Sequence, residues 1–335
     1  MLSHMYDNLD IFVCPACKGD LKIIADSVRC SGCQNCYQVD HGIPLLFWPN
    51  KWDSSKPDVT NVVKSFYEKT PFPNYDQFEC VEDLIRKAQA NVFARLLNNQ
   101  VPFNIRVLEV GCGTGQLSSF LGIGHRFVFG TDICLNSLKL GQEFKKKNGL
   151  ERVGFYQANL FRPIFKKETF PLVICNGVLH HTSDALLGFQ NISRLVRKGG
   201  YIIVGLYNKY GRITTDFRRI IFGISANQFK FLDPRLRNRS IGELKKLTWF
   251  MDQYKNPHES KHTIGEVLRW FDETGFDFVK SIPKQKAFEK LSENEKLFRS
   301  DSRGNWLDHF FVQAQLLFSG SKEGGFFLMI GRKKR

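Results

Sequence analysis

The sequence lacks long apolar runs, since no stretch of it approaches the roughly 18 to 20 residues that a membrane span needs. No membrane partner is therefore expected. The N-terminal stretch MLSHMYDNLDIF carries acidic residues and lacks the basic start and apolar core of a signal peptide, so a cytoplasmic location is expected. Internal repeats and low-complexity segments are also absent. A chain of 335 residues then suggests one main core plus an accessory module.

Acidic residues are scarce relative to basic ones, with 33 Asp and Glu against 48 Lys and Arg and a formal net charge of +15. Residues 1–47 hold three basic and five acidic residues, a net of −2, whereas residues 209–261 hold twelve and five, a net of +7. Such a surface favours an anionic partner such as RNA. Arginine clusters suit phosphate contacts, and the candidates here are Arg212, Arg218, Arg219, Arg235, Arg237 and Arg239.

Cysteine is concentrated at one end of the chain, where five of the nine cysteines fall within the first 36 residues. Cys14-x2-Cys17, twelve residues and then Cys30-x2-Cys33 give two knuckles able to surround a tetrahedral Zn²⁺ with four thiolates. In a reducing compartment this pattern indicates a structural metal site rather than disulfides. Cys36 leaves the choice of the fourth ligand open.

From Ile105 onward, short apolar runs alternate with helical patterns, which is typical of a doubly wound, mostly parallel α/β sheet with crossover helices. The predicted organisation is a zinc ribbon over 1–49, a linker with N-terminal helices or a lid over 50–104, a core over 105–205, a basic insertion on the substrate side over 206–261, and a C-terminal completion of the sheet over 262–335.

A glycine-rich turn, VLEVGCGTG, follows the first predicted strand of the core. Gly111, Gly113 and Gly115 allow a ligand to approach the backbone because no Cβ obstructs it. The next strand ends in Asp132, 19 residues beyond Gly113, whose carboxylate suits ribose hydroxyls. Together these features predict a nucleoside site. A dinucleotide is disfavoured because its fingerprint needs a small residue where this chain has Gln116.

This turn resembles the first motif of the class I S-adenosylmethionine-dependent methyltransferases, and the resemblance extends over most of residues 105–205. It implies a Rossmann-like methyltransferase fold with S-adenosylmethionine as cofactor. Glu109 matches the acid that approaches the methionine amino group, and Asp132 matches the ribose-binding acid. Many members have Asp where this chain has Asn159, which keeps an acceptor for the adenine amino group without the charge. The cofactor-binding residues so implied are Glu109, Gly111, Gly113, Gly115, Asp132, Asn159, Leu160 and Asn176.

The cysteine-rich segment, CPACKGDL followed by CSGCQNCYQVDHGIPLL, resembles the small zinc-ribbon proteins that partner or activate methyltransferases. It is also similar to ribbons fused to some rRNA guanine methyltransferases, although Gln38 replaces the usual proline. The resemblance implies a module that either holds substrate RNA or braces the catalytic domain. Its net charge of −2 favours bracing, since surfaces that bind nucleic acid are usually basic.

Candidate catalytic residues are few, because methyl transfer mainly requires alignment of the acceptor and, for some acceptors, a base. His180 and His181 follow the fourth strand and are the candidates for a base, although they also suit a plain role at the start of the next helix. Aromatic residues before the core suit either a lid or ordinary packing, and they are Tyr67, Phe72 and Tyr75.

A second polar segment, DQYKNPHESKHTIGEV, brings together His258, Glu259 and His262. Their spacing could serve acid-base chemistry or metal binding, but without a further ligand a metal is not favoured. The leading functional interpretation is a methyltransferase acting on tRNA or rRNA. The alternatives are a small-molecule methyltransferase with a quinone-like or natural-product substrate, and a non-catalytic scaffold with a vestigial site.

Overall fold

The strands form two sheets in the computed structural model, which describes residues 2–51, 57–71, 80–286, 289, 291–319 and 324–335. The strands are β1 (Leu21–Ile24), β2 (Ser27–Cys30), β3 (Cys36–Asp40), β4 (Ile43–Pro44), β5 (Arg106–Val110), β6 (Phe127–Asp132), β7 (Val153–Gln157), β8 (Phe170–Asn176), β9 (Val196–Tyr207), β10 (Phe276–Ile282) and β11 (Phe326–Lys333). The larger sheet has the order β10-β11-β9-β8-β5-β6-β7. Its strands from β9 to β7 pair in parallel, and β11 lies antiparallel between β9 and β10.

Helices cover both faces of this sheet, as the residues of β5 show. Val107 packs in one apolar cluster, whereas Leu108 and Val110 pack in another. The predicted doubly wound, mostly parallel α/β fold is therefore confirmed. The helices are α1 (Ser3–Tyr6), α2 (Thr60–Lys69), α3 (Val81–Ala90), α4 (Val92–Gln100), α5 (Gln116–Ile123), α6 (Leu135–Lys147), α7 (Ala185–Ser193), α8 (Ile213–Ile224), α9 (Pro234–Arg237), α10 (Glu243–Phe250), α11 (Ile264–Thr274) and α12 (Trp306–Ser319).

Local sequence signals explain where α11 begins and ends. The Thr263 hydroxyl accepts a hydrogen bond from the Glu266 N–H, and the Glu266 carboxylate accepts one from the Thr263 N–H, which is a capping box. Gly275 ends the helix in the left-handed conformation that glycine adopts without strain. The chain then enters β10 directly. None of the helices in the described ranges is long and apolar enough to span a bilayer.

The smaller sheet belongs to the cysteine-rich N-terminal segment and packs against the larger one. Its four strands pair antiparallel in the order β1-β2-β3-β4. The Phe12 ring lies 4.9 Å from the Tyr156 ring and 4.8 Å from the Phe165 ring, both centroid to centroid. Cys14 and Cys30 share one buried cluster with these aromatic residues. A module this small buries too little surface alone, and here its interior is continuous with the main core.

The basic segment after β9 folds as an extension above the carboxyl end of the sheet. It contains α8, α9, α10 and a π-helical turn, Met251–Lys255. Phe222, Phe250 and Tyr254 form its own small apolar cluster. An isolated bridge between Asn208 and His262 closes the segment at its base.

Candidate active site

The glycine turn after β5 requires glycine for two independent reasons. Gly111, Gly113 and Gly115 have φ of +69°, +55° and +72°, in the left-handed region that side chains rarely adopt. A Cβ on Gly111 would lie 2.2 Å from a methyl group of Val178, and one on Gly115 would lie 2.3 Å from the Phe155 ring. The turn therefore lies tightly between its neighbours, with its backbone at the carboxyl edge of the sheet.

Asp132 ends β6 beside this turn and orders it. Its carboxylate accepts hydrogen bonds from the N–H of Gly113 and from the N–H of Cys134, both at 2.8 Å. Burial raises the pKa of this carboxyl to about 6. Each carboxylate oxygen has a further lone pair, so the group can still accept hydrogen bonds from a ligand.

Glu109 lies in β5 below the turn and is 6% exposed. Its carboxylate accepts a 2.5 Å hydrogen bond from the Ser118 hydroxyl on α5. Burial raises the pKa of Glu109 to about 7. A cationic group placed beside it would favour the ionised form and lower that pKa again.

Helix α2 is held over the same edge by Glu68, a residue that the sequence analysis did not single out. The Glu68 carboxylate accepts hydrogen bonds from the N–H groups of Leu135 at 2.8 Å and Asn136 at 3.0 Å. It thus caps the N-terminus of α6, where unpaired N–H donors favour an anion. Tyr67 from the predicted lid is in the described part of the chain, whereas Phe72 and Tyr75 lie outside the described residues.

Asn159 is 1% exposed, and both the nitrogen and the oxygen of its side-chain amide are hydrogen-bonded. Its side-chain amide donates to the Trp48 carbonyl at 3.0 Å and to Asn50 Oδ1 at 2.8 Å, and its oxygen accepts from the Phe161 N–H at 3.0 Å. The residue therefore ties the end of the N-terminal module to the loop after β7. A contact between Asn159 and adenine stays a prediction.

A cavity of about 1110 Å³ connects these features. It contacts the glycine turn, Asp132 and Glu109 on one side and the basic insertion on the other. Asn159, Leu160 and Asn176, which the resemblance also implies, line it too, whereas Gly115 does not. Its apolar wall includes Phe93, Phe120, Leu291, Leu316, Phe326 and Leu328.

The two histidines after β8 differ sharply in their surroundings. His180 is 1% exposed, its ring lies 4.1 Å from the Tyr207 ring, and neither ring nitrogen has a hydrogen-bond partner. His181 lines the cavity, and its Nδ1 lies 2.8 Å from the carbonyl oxygen of His258. A carbonyl only accepts, so Nδ1 carries the hydrogen and Nε2 keeps its lone pair. Burial lowers the pKa of His181, which keeps the ring neutral.

A buried polar network, missed by the sequence analysis, forms the wall near His181. The Tyr67 hydroxyl donates to Asp252 at 2.9 Å and accepts from Asn256 at 2.8 Å. The Gln253 amide donates to the Tyr207 hydroxyl at 2.7 Å. Tyr67, Tyr207 and the adjacent pair Asp252 and Gln253 belong to three segments far apart in sequence, so no local pattern predicts their contact.

The expected phosphate contact at Arg212 is wrong. Its guanidinium is buried and pairs with the Glu259 carboxylate, which also accepts from Arg219 at 3.1 Å. The third member of the polar segment, His262, bonds instead to Glu266 at 2.9 Å. His258, Glu259 and His262 therefore do not converge on a common point. Within the described ranges, the one cluster of potential metal ligands is a set of cysteines.

That set consists of the four cysteines of the two knuckles, and their sulfur atoms all lie within 4.8 Å of one another. The closest pairs are Cys17 with Cys30 at 3.4 Å and Cys14 with Cys33 at 3.6 Å. Cys36 is exposed and lies outside the set.

Comparisons with known proteins match the segment of the chain that carries the glycine turn and Asp132. A family model described as "Methyltransferase domain" matches residues 108–204. The uncharacterized protein MJ0638 of Methanocaldococcus jannaschii is 34% identical over 178 residues, which cover 50% of this chain and 72% of that protein. A ubiquinone biosynthesis O-methyltransferase of Leptothrix cholodnii is 29% identical over 106 residues, covering 31% of this chain and 45% of the relative.

Among solved structures, the magnesium protoporphyrin IX methyltransferase of Synechocystis matches at 16% identity with a TM-score of 0.48, covering 82% of this chain and 99% of that one. The chain spans about half the length of most curated relatives that it matches. Sequence motifs, fold and family model coincide on the same segment. Residues 108–204 thus match a methyltransferase domain, and the chain belongs to the same family as the uncharacterized protein MJ0638 of Methanocaldococcus jannaschii.

Proposed function

We propose that the enzyme methylates a small, largely apolar molecule rather than RNA. The observation that carries the proposal is the cavity lining, which combines apolar side chains with the buried group of Tyr67, His181 and Asp252. Such a wall suits an aromatic or alicyclic acceptor with one ionisable group. Relatives named as ubiquinone biosynthesis O-methyltransferases and a demethylmenaquinone methyltransferase support an acceptor of this class.

RNA stays the second candidate because three arginines of the insertion, Arg235, Arg237 and Arg239, are exposed. Arg212 is unavailable to phosphate, and Arg219 is partly engaged by Glu259. Fewer arginines are therefore available to contact a phosphate backbone than the six that the sequence suggests.

We assign the cofactor to the glycine turn. Its exposed backbone would approach S-adenosylmethionine, with Asp132 accepting from the ribose hydroxyls and Glu109 facing the methionine amino group. The bound cofactor supplies an electrophilic methyl group. The chain's own residues orient the acceptor, exclude water and receive its proton.

We assign that last role to His181. Its Nδ1–H is held by the His258 carbonyl, so Nε2 is free to take a proton from an acceptor hydroxyl in the cavity. His180 is buried outside the cavity wall and serves packing against Tyr207.

We propose that the four cysteines hold a structural Zn²⁺. Four thiolates at about 2.3 Å from zinc in a tetrahedron are about 3.8 Å apart, close to the sulfur spacing seen here. The N–H groups of Gly19 and Gly32 point at the sulfurs of Cys17 and Cys30, at 3.4 and 3.3 Å, and so stabilise thiolate charge. These donors and the closed geometry fit zinc.

The substrate class is tested with isotopically labelled cofactor and a cell extract. We expect label in the organic-soluble fraction. Label in RNA, lowered by the Arg237→Gln/Arg239→Gln double variant and declining steeply with salt, would instead establish the RNA alternative. The control is the same extract treated with ribonuclease before the reaction.

Asp132→Ala should weaken S-adenosylmethionine binding at least tenfold in calorimetry. The change removes charge-assisted hydrogen bonds worth about 1.5 to 3 kcal/mol and also frees the Gly113 N–H. The control is Glu151→Ala, which removes an exposed acid before the amino end of β7, at the opposite edge of the sheet. Equal cofactor affinity in both variants would contradict the assignment.

His181→Gln should lower kcat by about 100-fold or more at saturating cofactor and acceptor. In the wild type, kcat should be flat near neutral pH and fall on the acid side, since the lowered pKa leaves Nε2 unprotonated until acid pH. The variant should lack this acid limb. His180→Phe is the control and should keep the fall of kcat at acid pH. If His181→Gln shows the same fall as the wild type, His181 is not the base.

Purified protein should contain about one zinc per chain, and Cys30→Ser should abolish it. Because Cys30 is packed in the same apolar cluster as Phe12 and Tyr156, the variant should also lower the thermal midpoint of the whole chain. Cys36→Ser is the matched control and should retain the metal. Zinc-free protein from a chelator-free preparation would refute the site.

A further inference from the structure

The outer face of α8, formed by Ile213, Phe217, Ile220 and Ile224, is exposed to solvent. These side chains are 47%, 65%, 60% and 85% exposed. Their spacing of four, three and four residues places all four within about 60° of the helix circumference at about 100° per residue. Thr215 and Phe222, which are buried, lie on the opposite side. The helix is thus held by one face and presents a purely apolar stripe with the other.

The same insertion carries more exposed apolar surface. Of nineteen large apolar side chains exposed in the described ranges, ten lie between Tyr210 and Leu247. Beyond the outer face of α8, they are Tyr210, Phe229, Phe231, Leu232, Leu244 and Leu247. Concentration of this kind marks an interaction surface, because isolated apolar side chains are common on proteins but clustered ones are not.

Positive charge accompanies these side chains and is not neutralised by neighbouring acids. Lys230, Arg235, Arg237 and Arg239 are exposed. The five acids of the insertion are either buried or paired with lysines outside this set. Asp233, Asp252 and Glu259 have buried side chains, Asp216 bonds to Lys261 at 2.5 Å, and Glu243 bonds to Lys246 at 2.8 Å.

We propose that this face of the insertion docks on the surface of an anionic lipid bilayer, with the outer face of α8 inserted among the acyl chains near the headgroups. Aliphatic and aromatic side chains flanked by unneutralised cations are the composition of interfacial helices, and each cation adds attraction to anionic headgroups. The contact lies along the surface and needs no spanning helix. It revises the expectation of no membrane partner.

Other occupants suit the surface less well. RNA offers phosphates that the arginines can bind, but it offers no apolar surface for the three isoleucines on the outer face of α8. In a complex with RNA these side chains would stay exposed to water or lie against charged groups. A second copy of the chain would bring two surfaces of the same positive sign together. A bilayer satisfies both the apolar and the cationic parts at once.

The docking surface adjoins the cavity, because Arg235 and Trp249 belong to the insertion and also line the cavity. The Arg235 guanidinium lies over the Trp249 ring at 4.0 Å from its centroid. An apolar acceptor dissolved in the bilayer would therefore reach the active site beside the bound face, a step that rests on the proposed substrate class. The docking itself does not depend on it.

The test is flotation of the full chain with vesicles of phosphatidylcholine containing or lacking about one third phosphatidylglycerol. We expect binding to the anionic vesicles that weakens with salt. Phe217→Ser/Ile224→Ser should reduce binding at least tenfold, since each inserted apolar side chain is worth about tenfold in affinity. Arg237→Gln/Arg239→Gln should weaken binding and flatten its salt dependence.

The matched control is Phe103→Ser, which removes a phenylalanine that is 67% exposed, just before the amino end of β5 and away from the insertion. It should bind vesicles as the wild type does. Calorimetry with S-adenosylmethionine should be unchanged in all three variants, which separates this proposal from that of the active site. The proposal is overturned if the wild type does not float with anionic vesicles at low salt, if Phe217→Ser/Ile224→Ser floats equally well, or if that variant only abolishes self-association or RNA binding.

Discussion

The part of the cavity wall formed by the basic insertion depends on one buried ion pair, between Arg212 and Glu259. Their side chains are 0% and 2% exposed. A buried guanidinium is tolerated only where its donors are satisfied, and Arg212 also donates to Gln253 Oε1 at 2.6 Å and to the Gly324 carbonyl at 3.2 Å. One side chain thereby joins the start of α8, the π-helical turn, the loop before α11 and the approach to β11. The cavity wall is built on this junction, since Asp252, next to Gln253, accepts a hydrogen bond from the hydroxyl of Tyr67 on α2.

The sequence predicted the parts of the fold that local chemistry determines. The strand, the glycine turn and the acid Asp132 follow from steric limits on a few adjacent residues. Arg212 illustrates what could not be predicted. Its partner Glu259 is 47 residues away, so a single sequence shows only an arginine in a basic region. Burial reverses the interpretation, from a phosphate contact to a structural cation.

The two adjacent histidines make the same point at the active site. From the sequence alone His180 and His181 are equal candidates for a base, because neighbours in a loop share every local signal. The three-dimensional surroundings separate them, since one ring is sealed against Tyr207 and the other is oriented by a backbone carbonyl. The charge of the insertion is a similar case. The sequence gives its net charge, but the charge of its surface depends on which acidic side chains are buried.

Asn159 gives the N-terminal module a direct mechanical connection to the catalytic domain. Its amide holds both the Trp48 carbonyl and the Asn50 side chain, while its oxygen shapes the loop after β7. If the chain at Trp48 is displaced, either these hydrogen bonds break or Asn159 moves too and shifts the cavity wall at Leu160. Loss of order around the four cysteines of the knuckles would in this way change the shape of the cavity, although none of those four lines it. The small sheet thus helps to position one part of the cavity wall.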